Sequence, residues 1–262
     1  MSNDMSSIVP FSILELSAMK KYPDLLYYKG SLALLSRPKI SIVGTRHPSI
    51  YTRGVTLELA KKLSAAGMVI VSGAAAGVDT LAHQGAGVHN TIAVLPSGIN
   101  IRYPKSNDKL IEAIERQGLV LSQFEPDFMT REWSFVVRNE IVVALGEVLI
   151  VSEADLGSGS MRSVEFALEM GKQVYVLPHH IRESEGTHRL LIEGKAKGIE
   201  DIDLFVAQIS KSALNTMNDT PFVAYCRSMP TYEEVLAKFP SEIFEAELGG
   251  IIEVRNGRVF VA

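Results

Sequence analysis

Five short segments carry residue types that can hold phosphate. In IVGTRHPS, Gly44 follows an apolar run directly, and Thr45 and Arg46 come next. A glycine there lets the backbone turn tightly with its amides outward, and amides at a helix N-terminus attract anions. Arg46 adds a planar fork of donors suited to phosphate. The same residues equally describe a plain strand-to-helix turn with a surface arginine. In VSGAAAGVDTLAH, the small residues Ser72, Gly73, Ala74 and Gly77 permit close approach of a ligand or another backbone. Asp79 stands where it would cap the following helix, and His83 reads as a locally packed histidine. Neither glycine segment is G-x-G-x-x-G or a P-loop, so no nucleotide fingerprint and no cofactor is expected.

The other three segments mix cations, rings and hydroxyls. LPSGINIRYPKSN places Tyr103 between Arg102 and Lys105. A ring between cations suits a base stacked beside its phosphates, and equally a solvated loop whose tyrosine covers the core. FMTREWSFVVRNE interleaves Arg131, Trp133, Phe135 and Arg138, a single-strand-binding pattern, although Phe135 also reads as the start of a buried helix. EADLGSGSMRSVEFA offers Ser158, Gly159 and Ser160 at the opening of a helix, where amides and hydroxyls hold anions or a serine simply caps.

These segments need elements to position them. Short apolar runs alternate with helical patterns: PKISIV to Val43, helix Tyr51 to Ala66, strand Met68 to Ser72, helix Val78 to Ala86, strand Thr91 to Leu95, helix Asp108 to Arg116 and strand LVLSQF. Phe135 to Leu145 is β-branched but too long and continuous for a strand, and reads as a buried helix. Strand Val148 to Glu153, helix Met161 to Met170, strand QVYVLP and helices His188 to Lys195 and Asp203 to Lys211 follow. Nearly all-apolar strands alternating with helices predict an α/β fold, a doubly wound and mainly parallel sheet covered on both faces. All five segments then fall beyond strand ends on one sheet edge, where such sheets bind ligands, and four of them bring an arginine.

The first ~37 residues read as an N-terminal helical extension (1–37) ahead of the main domain (38–212). Residues 213–220 are polar and breaker-rich and read as a linker. Residues 221–262 form a small unit: TYEEVLAKF and SEIFEAELGG as two amphipathic helices, then two strands around Asn256-Gly257, the favoured hairpin turn. Helix, helix, hairpin is a winged-helix-like pattern. Its second helix is acidic through Glu242, Glu245 and Glu247, a poor fit to a phosphate-lined groove, and suggests a protein-interaction or regulatory module.

Composition bounds the classes. Hydrophobic residues make 47% of the 262 and charged residues 21%, which fits a globular protein with a real core. The net charge of -4 argues mildly against nucleic acid as a partner, although affinity follows the field at a site and not the total. One cysteine, Cys226, excludes an intrachain disulfide and fits a reducing cytoplasm. There is no signal-peptide pattern and no run of ~20 apolar residues, so no membrane association is expected. His179 and His180 lack partners at metal-ligand spacing and read as surface histidines, leaving no metal site.

Together, VGTR, SGAAAGVDTLAH, NIRYP, FVVRNE and SGSMRSVEFA occur in the order and spacing of the DNA-processing protein A family (DprA/Smf). The chain resembles that family from about Pro38 to Phe205. The resemblance implies an extended Rossmann-like domain that binds single-stranded DNA, forms a homodimer and helps load the RecA recombinase in natural transformation, with a winged-helix-like C-terminal domain. The family's GTR arginine falls on Arg46, its basic and aromatic residues near Arg131 and on Phe135, and its RN pair on Arg138 and Asn139. Glu140 stands where the family usually has a second arginine, and would weaken a phosphate contact or pair with Arg138. Pro178-His179-His180 replaces a proline–glycine, and the N-terminal helical domain of longer members is missing.

The expected mechanism is non-enzymatic. Loop amides, Arg46, Arg53 and Arg138 hold phosphates while Phe135 or Trp133 stacks a base. An alternative is a LOG-type nucleoside-monophosphate phosphoribohydrolase, whose glutamate would fall on Glu165, although the proline and paired glycines of that motif are absent. A third reading is a small-ligand sensor whose C-terminal unit binds duplex DNA.

Overall fold

Each of the six apolar runs becomes a strand because each is buried along its whole length. In the computed structural model, which describes residues 7–218, 221–226, 228–255 and 257–261, the chain divides into two compact units, residues up to Val206 and from Ala207 onward. The elements of the first unit are β1 (Ser7–Ile8), β2 (Tyr27–Gly30), β3 (Lys39–Val43), α1 (Ile50–Ala65), β4 (Val69–Ser72), α2 (Val78–Ala86) and β5 (Thr91–Val94). Then come α3 (Asp108–Gln117), β6 (Leu119–Ser122), α4 (Glu132–Leu145), β7 (Leu149–Val151), α5 (Gly159–Glu169), β8 (Val174–Val176), α6 (Glu185–Ile192) and β9 (Lys197–Gly198).

The sheet order is β1-β2-β6-β5-β4-β3-β7-β8-β9. From β6 to β9 every pairing is parallel. The chain enters at β3, winds outward through β4, β5 and β6, then returns to the other side of β3 at β7. The winding direction therefore reverses between β3 and β7, and loops diverging there open a crevice at the strand C-termini. Alternate side chains sort to the two faces. Val43, Val71, Val94 and Val151 join Ile141–Leu145 of α4 and Val164 of α5 in one core, while Ala93 and Val120 pack with Ile111 and Ile114 of α3. Burying each such side chain stabilises by roughly 1.5–3 kcal/mol relative to exposure, which outweighs the weak helix propensity of the β-branched residues in α4.

The N-terminal segment differs from the expected helical extension. It is two 3-10 turns, Leu14–Ala18 and Leu32–Ser36, and two strands, with β2 pairing antiparallel to β6. Tyr27 and Tyr28 are good strand formers, and the open edge of β6 gives them a partner. Lys39 anchors this segment to the sheet. Its side chain is 4% exposed, and its Nζ donates to Leu35 O at 2.7 Å and Arg37 O at 2.9 Å and lies 2.6 Å from Glu15 Oε1.

Residues 213–218, read as linker, continue a helix, α7 (Ile202–Asn218); no glycine or proline interrupts the sequence before Pro221. Positions 219 and 220 lie outside the described residues. The second unit also contains α8 (Pro221–Cys226), absent from the sequence expectation, then α9 (Tyr232–Lys238), α10 (Glu242–Leu248), β10 (Ile252–Arg255) and β11 (Arg258–Val261). Thr231 and Glu234 form a reciprocal cap on α9, at 2.8 and 3.3 Å. Phe222, Val223, Cys226, Val235, Ile243, Ile252 and Val259 make a small core of their own, and burial pushes the Cys226 thiol up from its ordinary value. β10 and β11 pair antiparallel as expected; Asn256 of their turn lies outside the described residues, and Gly257 has φ +73°. Among the described residues no helix is long and apolar enough to cross a membrane.

Two measurements test these packing claims. Glu15→Ala leaves the buried Lys39 ammonium without its counter-charge, and the expected cost is roughly 1–3 kcal/mol in urea unfolding, less than for a fully buried pair because Glu15 is partly exposed. His83, on α2, is fully buried, with Nδ1 2.7 Å from Thr91 Oγ1, which itself donates to Ile70 O at 2.7 Å. Nδ1 therefore carries the hydrogen. Burial, aided by the Arg138 charge, lowers the His83 pKa from 6.5 to about 3. Between those values the unfolded chain binds a proton that the folded chain refuses, so stability falls as pH drops through that window. His83→Asn removes this contribution, and its urea midpoint is expected to decline less steeply from pH 6.5 to 4 than that of the wild type; equal slopes would contradict the assignment.

Candidate nucleic-acid interface

A cleft of about 310 Å³ opens at the reversal point between β3 and β7. The loop after β3 supplies Gly44, Thr45 and Arg46, the loop after β4 supplies Gly73, and α4 supplies Phe135, Arg138 and Asn139. Ser158, Gly159 and Ser160 close it at the start of α5. Four of the five sequence segments thus meet in one cavity. A recess of about 100 Å³ adjoins it, sharing Arg46, Gly73, Phe135 and Arg138 and adding Pro96, Tyr103 and Pro104 from the remaining segment.

Arg138 forms the floor and is 3% exposed. Its Nη1 donates to Gly73 O and, at 2.7 Å, to Val94 O, the ends of β4 and β5; its Nε donates to Asn139 Oδ1 at 3.0 Å. Among the described residues no hydrogen bond joins Nη2 to a protein acceptor, and Arg138 lines the cleft. Burial and the neighbouring Arg46 charge lower its pKa to about 10 against the opposing pull of Asp79, so the guanidinium stays charged at neutral pH. A Cβ on residue 73 would strike this guanidinium, which explains the glycine there.

Asp79 is not a plain helix cap. Its Oδ2 accepts from Ala75 N at 3.2 Å, its side chain is 7% exposed, and it lines the cleft. Burial pushes its carboxyl up, while the Arg138 charge and the amides of Ala75 and Gly73 pull it back. The amides of the SGAAAG turn are therefore directed at Asp79. Asn107, which sequence reading passed over, clamps the same turn by donating to Ala74 O at 2.9 Å, Ala75 O at 3.1 Å and Thr80 Oγ1 at 2.8 Å.

At the rim the Arg46 guanidinium lies 5.2 Å over the Phe135 ring, and Tyr103 meets Phe135 edge-on at 5.7 Å. Arg46 is exposed and makes no ion pair among the described residues. The loop is held from behind. Thr45 N donates to Glu153 O at 2.8 Å, and Glu153 Oε2 accepts from Ser49 N and Oγ at 3.0 Å. Burial pushes the Glu153 carboxyl up, but the Thr52 hydroxyl and the Ser49 amide and hydroxyl hold it below its ordinary value. Gly77, at φ +84°, presses on the Arg46 backbone, where a Cβ would fall 2.6 Å from Arg46 C. In the α5 wall, the Oγ atoms of Ser158 and Ser163 are buried without a protein partner among the described residues.

Six expected residues lie outside the cleft. Ser72 is buried and donates to Ile42 O at 2.7 Å, Ala74 is buried at φ +57°, and Gly77 only spaces the two loops. Arg102 pairs with Glu115 at 2.6 Å, Arg53 is exposed with its Nε on Pro48 O at 3.1 Å, and Arg131 is exposed at the start of α4. Trp133 packs on Phe124 and Phe128, at 5.7 and 5.6 Å, away from the cavity. Glu140 does not pair with Arg138; its Oε1 accepts from Lys20 N at 3.1 Å. Glu165 is exposed and pairs with Arg162, so it does not face the cleft either. His179 Nε2 donates to Ser152 O at 2.8 Å.

The sequence model of the DNA recombination-mediator protein A family matches residues 10–210. Over 204 residues the chain is 37% identical to DNA processing protein DprA of Streptococcus pneumoniae, covering 74% of this chain and 72% of that protein. It is 36% identical to the Bacillus subtilis protein of the same name, covering 69% of this chain and 63% of that one. Among solved structures, DNA processing protein A from Helicobacter pylori, described for its single-stranded DNA binding mode, superposes with TM-score 0.78 at 40% identity over 79% of this chain and 97% of that chain. The Streptococcus pneumoniae structure gives TM-score 0.73 at 35% identity over 78% of this chain and 74% of that chain. The family match, the shared fold and the five ordered motifs place this chain in the DNA recombination-mediator protein A (DprA/Smf) family.

Proposed function

We propose that the cleft binds the backbone of single-stranded DNA, and that the chain protects incoming DNA and helps load RecA during natural transformation, as a cytoplasmic homodimer without catalytic activity. The observation that carries the reading is the pairing of two arginines of different depth, Arg138 buried in the lining of the cleft with no protein acceptor on Nη2 among the described residues, and Arg46 on its rim against Phe135. The α5 N-terminus and its unpartnered serine hydroxyls supply further donors to the same phosphate, and the Tyr103–Phe135 recess accepts a base beside it. The Helicobacter pylori relative, described as binding single-stranded DNA, supports the same reading.

The hydrolase alternative is disfavoured by Glu165, which stands outside the cleft and is neutralised by Arg162. In the second unit the exposed glutamates of α10 favour a winged-helix-like module that contacts protein rather than duplex DNA.

Arg46→Ala is expected to weaken oligo-dT binding by roughly tenfold or more and to lower the salt slope by about 1, read by fluorescence anisotropy at two salt concentrations. Phe135→Ala removes stacking worth ~1–3 kcal/mol per base in the same assay. Unchanged affinity in both variants would overturn the site. The mediator role is tested by RecA filament assembly on DNA coated with single-strand-binding protein, where the chain is expected to shorten the lag.

A further inference from the structure

We propose that Asp79 determines which phosphates the cleft accepts, excluding monoesters from its floor and leaving its rim to a phosphodiester strand. The inference rests on the single-strand reading above and specifies its substrate class.

The cleft has two walls built alike, a strand end leading to a helix N-terminus. At α2 the anion position is already filled, because the Asp79 carboxylate accepts the Ala75 amide at 3.2 Å and takes the favourable end of the helix dipole. At α5 the corresponding place holds no carboxylate; Ser163 Oγ, on a fully buried side chain, has no partner among the described residues and lines the cavity. The cleft thus has one open anion seat, with the Asp79 carboxyl in the same lining. Asp79 offsets the Arg138 charge, while Arg46, at the rim, has no carboxylate partner among the described residues.

That arrangement discriminates by charge. A phosphate monoester carries about -1.5 to -2 at neutral pH and a diester only -1. By offsetting Arg138, Asp79 removes the gain that the Arg138 charge would otherwise give to the extra charge of a monoester, a difference of roughly tenfold or more at an effective dielectric near 20. A diester also passes its chain out at both ends, which only the open rim permits.

The test compares thymidylyl-thymidine, with one diester, against thymidine 5′-monophosphate and inorganic phosphate, each competing with a labelled dT oligomer. The wild type is expected to prefer the dinucleotide over the monophosphate. Asp79→Asn and Asp79→Ser, checked for folding by circular dichroism melts, are expected to bind both monoesters about tenfold or more tightly than the wild type, shrinking that preference. A wild type that prefers the monophosphate, or folded variants with an unchanged ratio, would overturn the proposal. Failure of the single-strand reading looks different: the wild type then binds neither the dinucleotide nor the dT oligomer, while direct titration with inorganic phosphate still reports on Asp79.

Discussion

The structure of the site depends on a charged guanidinium held almost out of water at the C-terminal ends of two central strands. Burying an ion costs several kcal/mol unless its hydrogens are taken and its charge is balanced. Arg138 meets both conditions, with Gly73 O and Val94 O accepting from it and Asp79 offsetting its charge. Each partner then constrains the chain around it. Residue 73 has no room for a side chain, the turn after it is directed at Asp79, and Asn107 must fix that turn from the α3 side. The phosphate-like loop of the sequence is thus the housing of an arginine, and the ligand-facing donors are those left over.

The four sequence segments that meet in one cavity owe their legibility to one rule. Parallel strands buried on both faces read as continuous apolar runs, so VIVS, TIAV and LIV could be assigned and the segments after them placed on one edge. α4 was legible by length despite its β-branched residues. The N-terminal segment was not, because strand β2 exists by pairing with the edge of β6, a contact remote in sequence. Nor was the division between cleft residues and the rest. Arg46 and Arg102 look alike in the sequence, each beside a loop glycine or tyrosine. Glu115 and Asp108, both on α3, separate the paired arginine from the open one. Asp79 shows the same limit, since a carboxylate at the start of a helix reads as a cap until the arginine it balances is seen.

An acidic chain and a basic cleft are compatible because screening confines each charge to its surroundings. At physiological salt the Debye length is about 8 Å, so surface carboxylates farther than that from the opening contribute little to the potential where Arg46 stands exposed over Phe135. The consequence is a division of labour by depth. On the proposed reading Arg138, balanced and rigid, would position a bound phosphate, and Arg46, unbalanced and exposed, would supply the counter-ion release of binding to a polyanion. A site made only of rim arginines would bind strands without fixing their register. One made only of floor arginines would favour small phosphates that fit entirely inside. On the proposal above, the carboxylate between the two layers would keep the floor from becoming such a site, and so tie recognition of a polymer to the same interaction that lets the arginine be buried at all.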